Sequence, residues 1–161
     1  MASATEVMKA LRPVCFFVRW SPWALAPLAL AAVACTVPWL LAHSPEIGFA
    51  LRRGFALVCH QHAERSFAFF DGSVAVCARC LGIYLGVAAG LLLRVPRVIA
   101  VRWLTAAAAV NLLDWAAESA ILHGNWMLER FALGLTLGAT AATLVIASID
   151  KVKIPTQAKK A

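Results

Sequence analysis

The sequence predicts an all-α, polytopic membrane protein: a four-transmembrane-helix bundle with a structured outer loop between its first two helices. Two observations carry this. Of 161 residues, 62% are hydrophobic and only 14% are charged, where a soluble domain has about half and a quarter. The apolar residues also gather into four stretches near the roughly 20 residues a helix needs to cross a hydrocarbon core of about 30 Å. This hydrophobicity excludes a disordered chain. The length suits a single unit, taken as one membrane domain over residues 1–161. The net charge is +7, from 15 Lys and Arg against 8 Asp and Glu. In a membrane chain such an excess points to basic loops beside anionic lipid, so the bilayer is the expected partner and nucleic acid is not.

The spans are expected over residues 23–42, 74–93, 103–122 and 131–149. The first contains Pro27 and Pro38 and is read as an uncleaved anchor, because the apolar run continues past Cys35 to Ala42. The second and third carry polar residues that a lone helix in lipid would not tolerate. Lys9, Arg12 and Arg19 precede the first span, Arg94, Arg97 and Arg102 separate the second from the third, and Lys151, Lys153, Lys159 and Lys160 follow the fourth. These three regions share one side of a four-span chain, so that side is expected to be cytoplasmic, with both termini inside. Trp20, Trp23, Trp39, Trp103 and Trp126 fall near span ends, where indole rings prefer to sit. The setting expected is the bacterial inner membrane. The long outer loop, residues 42–73, is not free of positive charge, since it holds Arg52, Arg53 and Arg65 beside Glu46, Glu64 and Asp71. Its segment Ile47–Val58 mixes apolar residues with two arginines, as an interfacial or partly buried helix would.

That loop leads into Cys59-His60-Gln61-His62-Ala63-Glu64-Arg65-Ser66-Phe67, and Cys77-Ala78-Arg79-Cys80 follows at the outer start of the second span. Residues three apart share a helical face, and a helix N-terminus stabilises thiolate, the form that binds metal or attacks a disulfide. Three cysteines and one histidine satisfy tetrahedral zinc. Soft sulfur ligands also suit copper or iron. On geometry either His60 or His62 can be the histidine. The competing readings are a disulfide, which would leave one of three outer cysteines unpaired, and buried small apolar residues. Cys15 and Cys35 are expected to lie away from the site.

The run Cys-His-Gln, Glu-Arg-Ser-Phe, Cys-Ala-Arg-Cys-x-Gly-Ile-Tyr-x-Gly resembles a family of small prokaryotic integral-membrane proteins catalogued only as a domain of unknown function. The resemblance covers roughly Cys59 to the end of the fourth span. It implies a shared site on Cys59, His60, Cys77 and Cys80, surrounded by Arg65, Ser66, Arg79 and Tyr84, and it favours His60 over His62. It implies no activity.

In the third span, Asn111, Asp114 and Glu118 share one helical face. Ionisable groups at such depth normally face partners or water. Arg79 with Asp114, and Arg130 with Glu118 or Asp114, are the expected pairs. A buried ion pair fixing helix register is the favoured reading over a proton path, and orientation of a metal ligand by Asp114 or Glu118 is intermediate between them. Tyr84 reads as a packing residue. Gly82, Gly86 and Gly90, and then Gly134 and Gly138, are spaced by four, which permits close helix approach.

Two functions follow. The first is a binding or accessory subunit of a membrane assembly with a closed, structural metal site, most simply zinc, near its outer face. Other membrane subunits would be its partners, and no catalytic residue is assigned. The second is a thiol–disulfide oxidoreductase working through Cys77 and Cys80 with a quinone. Four spans and an outer C-x-x-C resemble the quinone-linked disulfide-forming enzymes of bacteria, but the loop from His123 to Arg130 lacks the second cysteine pair those enzymes use.

Overall fold

A computed structural model describes residues 17–18, 21–119 and 126–158. The chain forms β1 (Phe17–Val18), α1 (Leu25–His43) after a 3-10 turn, α2 (Pro45–Ala56), a hairpin of β2 (Ala68–Phe69) and β3 (Gly72–Ser73), α3 (Ala78–Leu92), β4 (Leu93–Arg94), α4 (Arg97–Ser119) and α5 (Met127–Ala158). β1 and β4 pair antiparallel, Phe17 opposite Arg94. The fold is all-α apart from these two-residue strands. Cys15 and the residues from Ala120 to Asn125 lie outside the described residues.

Among the described residues, three helices are long and apolar enough to cross a membrane: Pro22–His43, Arg97–Glu118 and Met127–Ile149. Their exposed surfaces carry large apolar side chains such as Leu28, Leu30, Leu112, Leu113 and Val145. Faces this apolar are suited to lipid rather than water. The span expected over 74–93 differs. Its helix has 15 residues, about 22 Å at 1.5 Å per residue, and begins only at Ala78. Val74, Ala75 and Val76 are non-helical and fully buried. The third expected span starts six residues earlier than 103, and the fourth extends at both ends.

Pro38 explains how residues 74–76 are held. It lies inside α1 and has no N–H, so the carbonyl of Ala34 lacks its helical donor. The Ala75 N–H donates to that carbonyl at 3.2 Å. The core continues from there through Ala31, Ala34, Val37, Phe55, Cys59 and Leu81. The β2–β3 hairpin turns through Phe70 and Asp71, both with positive φ (51° and 59°), the backbone of a two-residue type I′ turn.

α2 is the helix expected in the long loop between the first two spans. Pro45 opens it, Glu46 in its first turn and Arg53 in its last oppose the helix dipole, and Gly48 and Phe55 face inward. A Cβ on Gly48 would press on the Leu41 backbone at 2.8 Å, so α2 folds back tightly on α1.

α3 and α5 form the closest pair. A Cβ at Gly82, Gly86 or Gly90 would collide with the carbonyls of Phe131, Leu135 and Ala139 respectively, and one at Gly134 or Gly138 with those of Arg79 and Ile83. The glycine stripes therefore pack within this chain. Asn111 Nδ2 donates to Leu133 O at 3.2 Å, tying α4 to α5.

Candidate metal centre

The starts of α3 and α5 and the end of α4 meet at one end of the bundle. Cys77 caps the N-terminus of α3 and Cys80 stands in its first turn. Cys59 arrives from the turn after α2, where its N–H donates to Phe55 O at 3.0 Å. The next turn is fixed by Gln61, whose φ of 53° reverses the chain and whose Nε2 donates to Arg52 O at 2.7 Å. Arg52 in turn donates to Ser73 Oγ at 3.3 Å, joining α2 to the hairpin.

These constraints bring Cys59, Cys77 and Cys80 together, with the three Sγ atoms within 4.8 Å of one another. Cys77 and Cys80 sulfurs are 3.4 Å apart, and the Cys77 N–H donates to Cys59 Sγ at 3.2 Å. All three are free thiols. Tetrahedral zinc with Zn–S bonds of about 2.3 Å would set its sulfurs about 3.8 Å apart, so the donors stand near the required spacing. The helix N-terminus favours the negative charge that binding demands. Cys59 is 5% exposed, and burial of a thiolate in an apolar core requires a compensating charge.

His60 and His62 do not join the sulfurs. Both are exposed, their rings stack with centroids 6.1 Å apart, and His62 Nδ1 lies 3.5 Å from Glu64. Three donors are thus assembled by the fold and, among the described residues, a fourth is not. Cys35 sits within α1, against the core and outside the trio.

The polar residues expected around the site form an ion network. Arg79, on the turn between Cys77 and Cys80, pairs with Asp114. Arg130 meets Glu118 at 2.5 Å, so of the two partners expected for it the structure shows Glu118. Arg65 reaches the same Glu118 oxygen at 3.0 Å. Nothing in the sequence spacing relates this third arm, on the loop, to the end of α4. Ser66 is buried and donates to His62 O at 2.8 Å, which shapes the loop that presents Arg65. Phe67 packs edge-on against Phe131 at 5.8 Å. Tyr84 lines an apolar groove between α1 and α2 with Leu51, Phe55 and Val58, as a packing residue would.

Asp114 is 8% exposed, so Arg79→Gln is expected to destabilise the protein by about 3 kcal/mol, because it removes the guanidinium that pairs with a buried carboxylate. Arg79→Gln combined with Asp114→Asn should recover part of that loss. Denaturant unfolding of the two variants measures the difference.

The family described as "Predicted membrane protein (DUF2085)" matches residues 59–144, more than half of the chain. The match begins at Cys59 and spans all three sulfurs and the whole ion network. The chain belongs to this family. Among curated proteins, an uncharacterized protein of Methanocaldococcus jannaschii is 47% identical over 47 residues, covering 29% of this chain and 30% of the relative. The alignment therefore spans under a third of that relative's length. No solved structure matches. The membrane family expected from the Cys-His-Gln to Ile-Tyr run is the one found. It supplies the membrane setting and no named activity.

Proposed function

We propose that this family member is a four-span protein of the cytoplasmic membrane that holds a metal ion on Cys59, Cys77 and Cys80, with His60 as the fourth ligand. The observation that carries the reading is the convergence of three thiols from two separate segments within 4.8 Å. Zinc is the expected ion, since a sulfur-rich tetrahedral set with one imidazole closes around it and leaves no open position. The ion would pin the outer loop to the start of α3. His60 follows Cys59 directly and is exposed, so its side chain is free to swing toward the sulfurs. A closed site of this kind suits a binding or accessory subunit of a membrane assembly better than a catalyst.

In this reading α3 is also a span, the second of four in chain order. Its short helix is extended by residues 74–76, and non-helical backbone at membrane depth is tolerated where protein covers it. The Lys and Arg residues before the first span, between the second and third, and after the fourth support a reading with both termini in the cytoplasm and the sulfurs on the opposite face.

Elemental mass spectrometry on protein purified in detergent tests the proposal. About one zinc per chain is expected, with loss in Cys59→Ser, Cys77→Ser and Cys80→Ser and a large reduction in His60→Ala. Unchanged metal in His60→Ala would remove His60 from the site.

A second reading rests on the 3.4 Å separation of Cys77 and Cys80 and on the apolar groove lined by Val58, adjacent to Cys59 in the chain, and Tyr84, one turn below Cys80. In it the two thiols lose two electrons and two protons to a quinone, forming a Cys77–Cys80 bond and a quinol. It predicts metal-free protein, loss of two thiols on quinone addition, and indifference to His60→Ala.

A further inference from the structure

The ion network at the same end of the bundle is not balanced. Arg65 from the loop, Arg79 from α3 and Arg130 from α5 surround two carboxylates of α4, Asp114 and Glu118. All three arginines act electrostatically on Glu118, so they form one cluster. Arginine stays charged at any pH a protein meets. The cluster therefore carries one positive charge more than its carboxylates offset. Glu46 and Glu129, on α2 and α5, and Glu64 and Asp71, in the loop before α3, are exposed.

The donors are also incompletely used. Arg65 Nε and Arg79 Nε are buried and have no hydrogen-bond partner among the described residues. Arg130, only 6% exposed, is held by Glu118 at 2.5 Å, so the unused donors are those of Arg65 and Arg79. A buried donor left unpaired costs about 1–3 kcal/mol, more when charged, and native structures rarely leave one without a bound water or ion. Uncompensated positive charge and unpaired guanidinium N–H groups in one place call for an anion. Guanidinium forks match the oxygens of phosphate in geometry as well as in charge. Arg65, with 39% of its side chain exposed, opens the cluster to the outside.

We propose that Arg65, Arg79 and Arg130 form a binding site for a phosphate group, either free phosphate or the phosphate of a lipid headgroup. Asp114 and Glu118 hold the guanidinium forks in place. The site shares no ligand with the metal proposal, although Arg79 stands on the turn between Cys77 and Cys80.

The test uses the full chain in a phosphate-free maltoside detergent. Thermal unfolding is followed with added sodium phosphate against sodium chloride at equal ionic strength. A second arm adds short-chain phosphatidylglycerol against a neutral diacylglycerol. Wild type is expected to be stabilised by phosphate, by phosphatidylglycerol or by both. Phosphatidylglycerol alone identifies a headgroup site, phosphate alone a soluble anion, and both the shared chemistry. Arg65→Gln is expected to weaken the active ligand at least about tenfold, because one fork is lost. Arg65→Lys should give an intermediate loss and carries the comparison if Arg65→Gln does not fold. Zinc content in Arg65→Lys should equal that of wild type, which separates this site from the sulfurs. No stabilisation by either ligand, or equal affinity in wild type and both variants, would overturn the proposal.

Discussion

Cys59→Ser is expected to abolish metal binding and to lower the thermal stability of the whole bundle, not of the loop alone. Cys59 is buried within the cluster that joins α1, α2 and the start of α3, so the ion would stabilise the contact between the loop before α3 and the helices. Structural zinc contributes about 10–16 kcal/mol of binding free energy in small domains at neutral pH, and that energy appears as folding stability wherever the unfolded chain lacks a site. Serine nearly preserves the volume of cysteine, so loss of packing is a minor part of the change. Chelator treatment of wild type should therefore reproduce the Cys59→Ser melting curve, and chelator should leave Cys59→Ser itself unmoved. A variant that melts like wild type, with chelator inert on both, would separate the sulfurs from any metal.

Gly86→Leu is the second large effect. The position on α3 lies against the backbone of Leu135, and a Cβ there already overlaps a carbonyl oxygen. Backbone cannot change rotamer to make room, so α3 and α5 must move apart. Overpacking usually costs about 1–3 kcal/mol when side chains can adjust; here the expected loss is at the top of that range or beyond it. The separation would also move Arg79, which touches Gly134 from the same interface, and with it the turn between Cys77 and Cys80. Gly54→Leu is the control, since nothing lies within 4 Å of the Cβ position there. Unfolding in denaturant should distinguish the two by at least about 2 kcal/mol. Equal stability would show that the glycine stripes do not set the helix pair.

Much of this was legible in the residues themselves. The long apolar runs gave α1, α4 and α5 because a membrane-length helix needs only composition and length to be seen. The glycine periodicity announced close helix approach, while its use between α3 and α5 comes from the structure, and Asp114 and Glu118 announced partners because charges on an apolar helix need them. Residues 74–76 read as helix in sequence because Val-Ala-Val is apolar and precedes an apolar helix. What stops the helix is tertiary: the Ala34 carbonyl, freed by Pro38, captures the Ala75 N–H. Pro38 was visible, but the identity of its substitute donor was not. The Arg65–Glu118 contact joins residues more than fifty apart in sequence and leaves no local pattern. The sulfurs were legible as a set because C-x-x-C fixes a helix turn, whereas the histidine next to Cys59 depends on a loop conformation that sequence spacing does not determine.

X-ray absorption at the metal edge, on the protein reconstituted in lipid, tests the central claim most directly, because one spectrum reports the ion and its donor atoms together. Zinc with three sulfurs near about 2.3 Å and one nitrogen near about 2.0 Å is the predicted result. A spectrum without zinc, copper or iron, or one with a metal bound only by oxygen and nitrogen, would contradict it and turn attention to the Cys77–Cys80 redox pair.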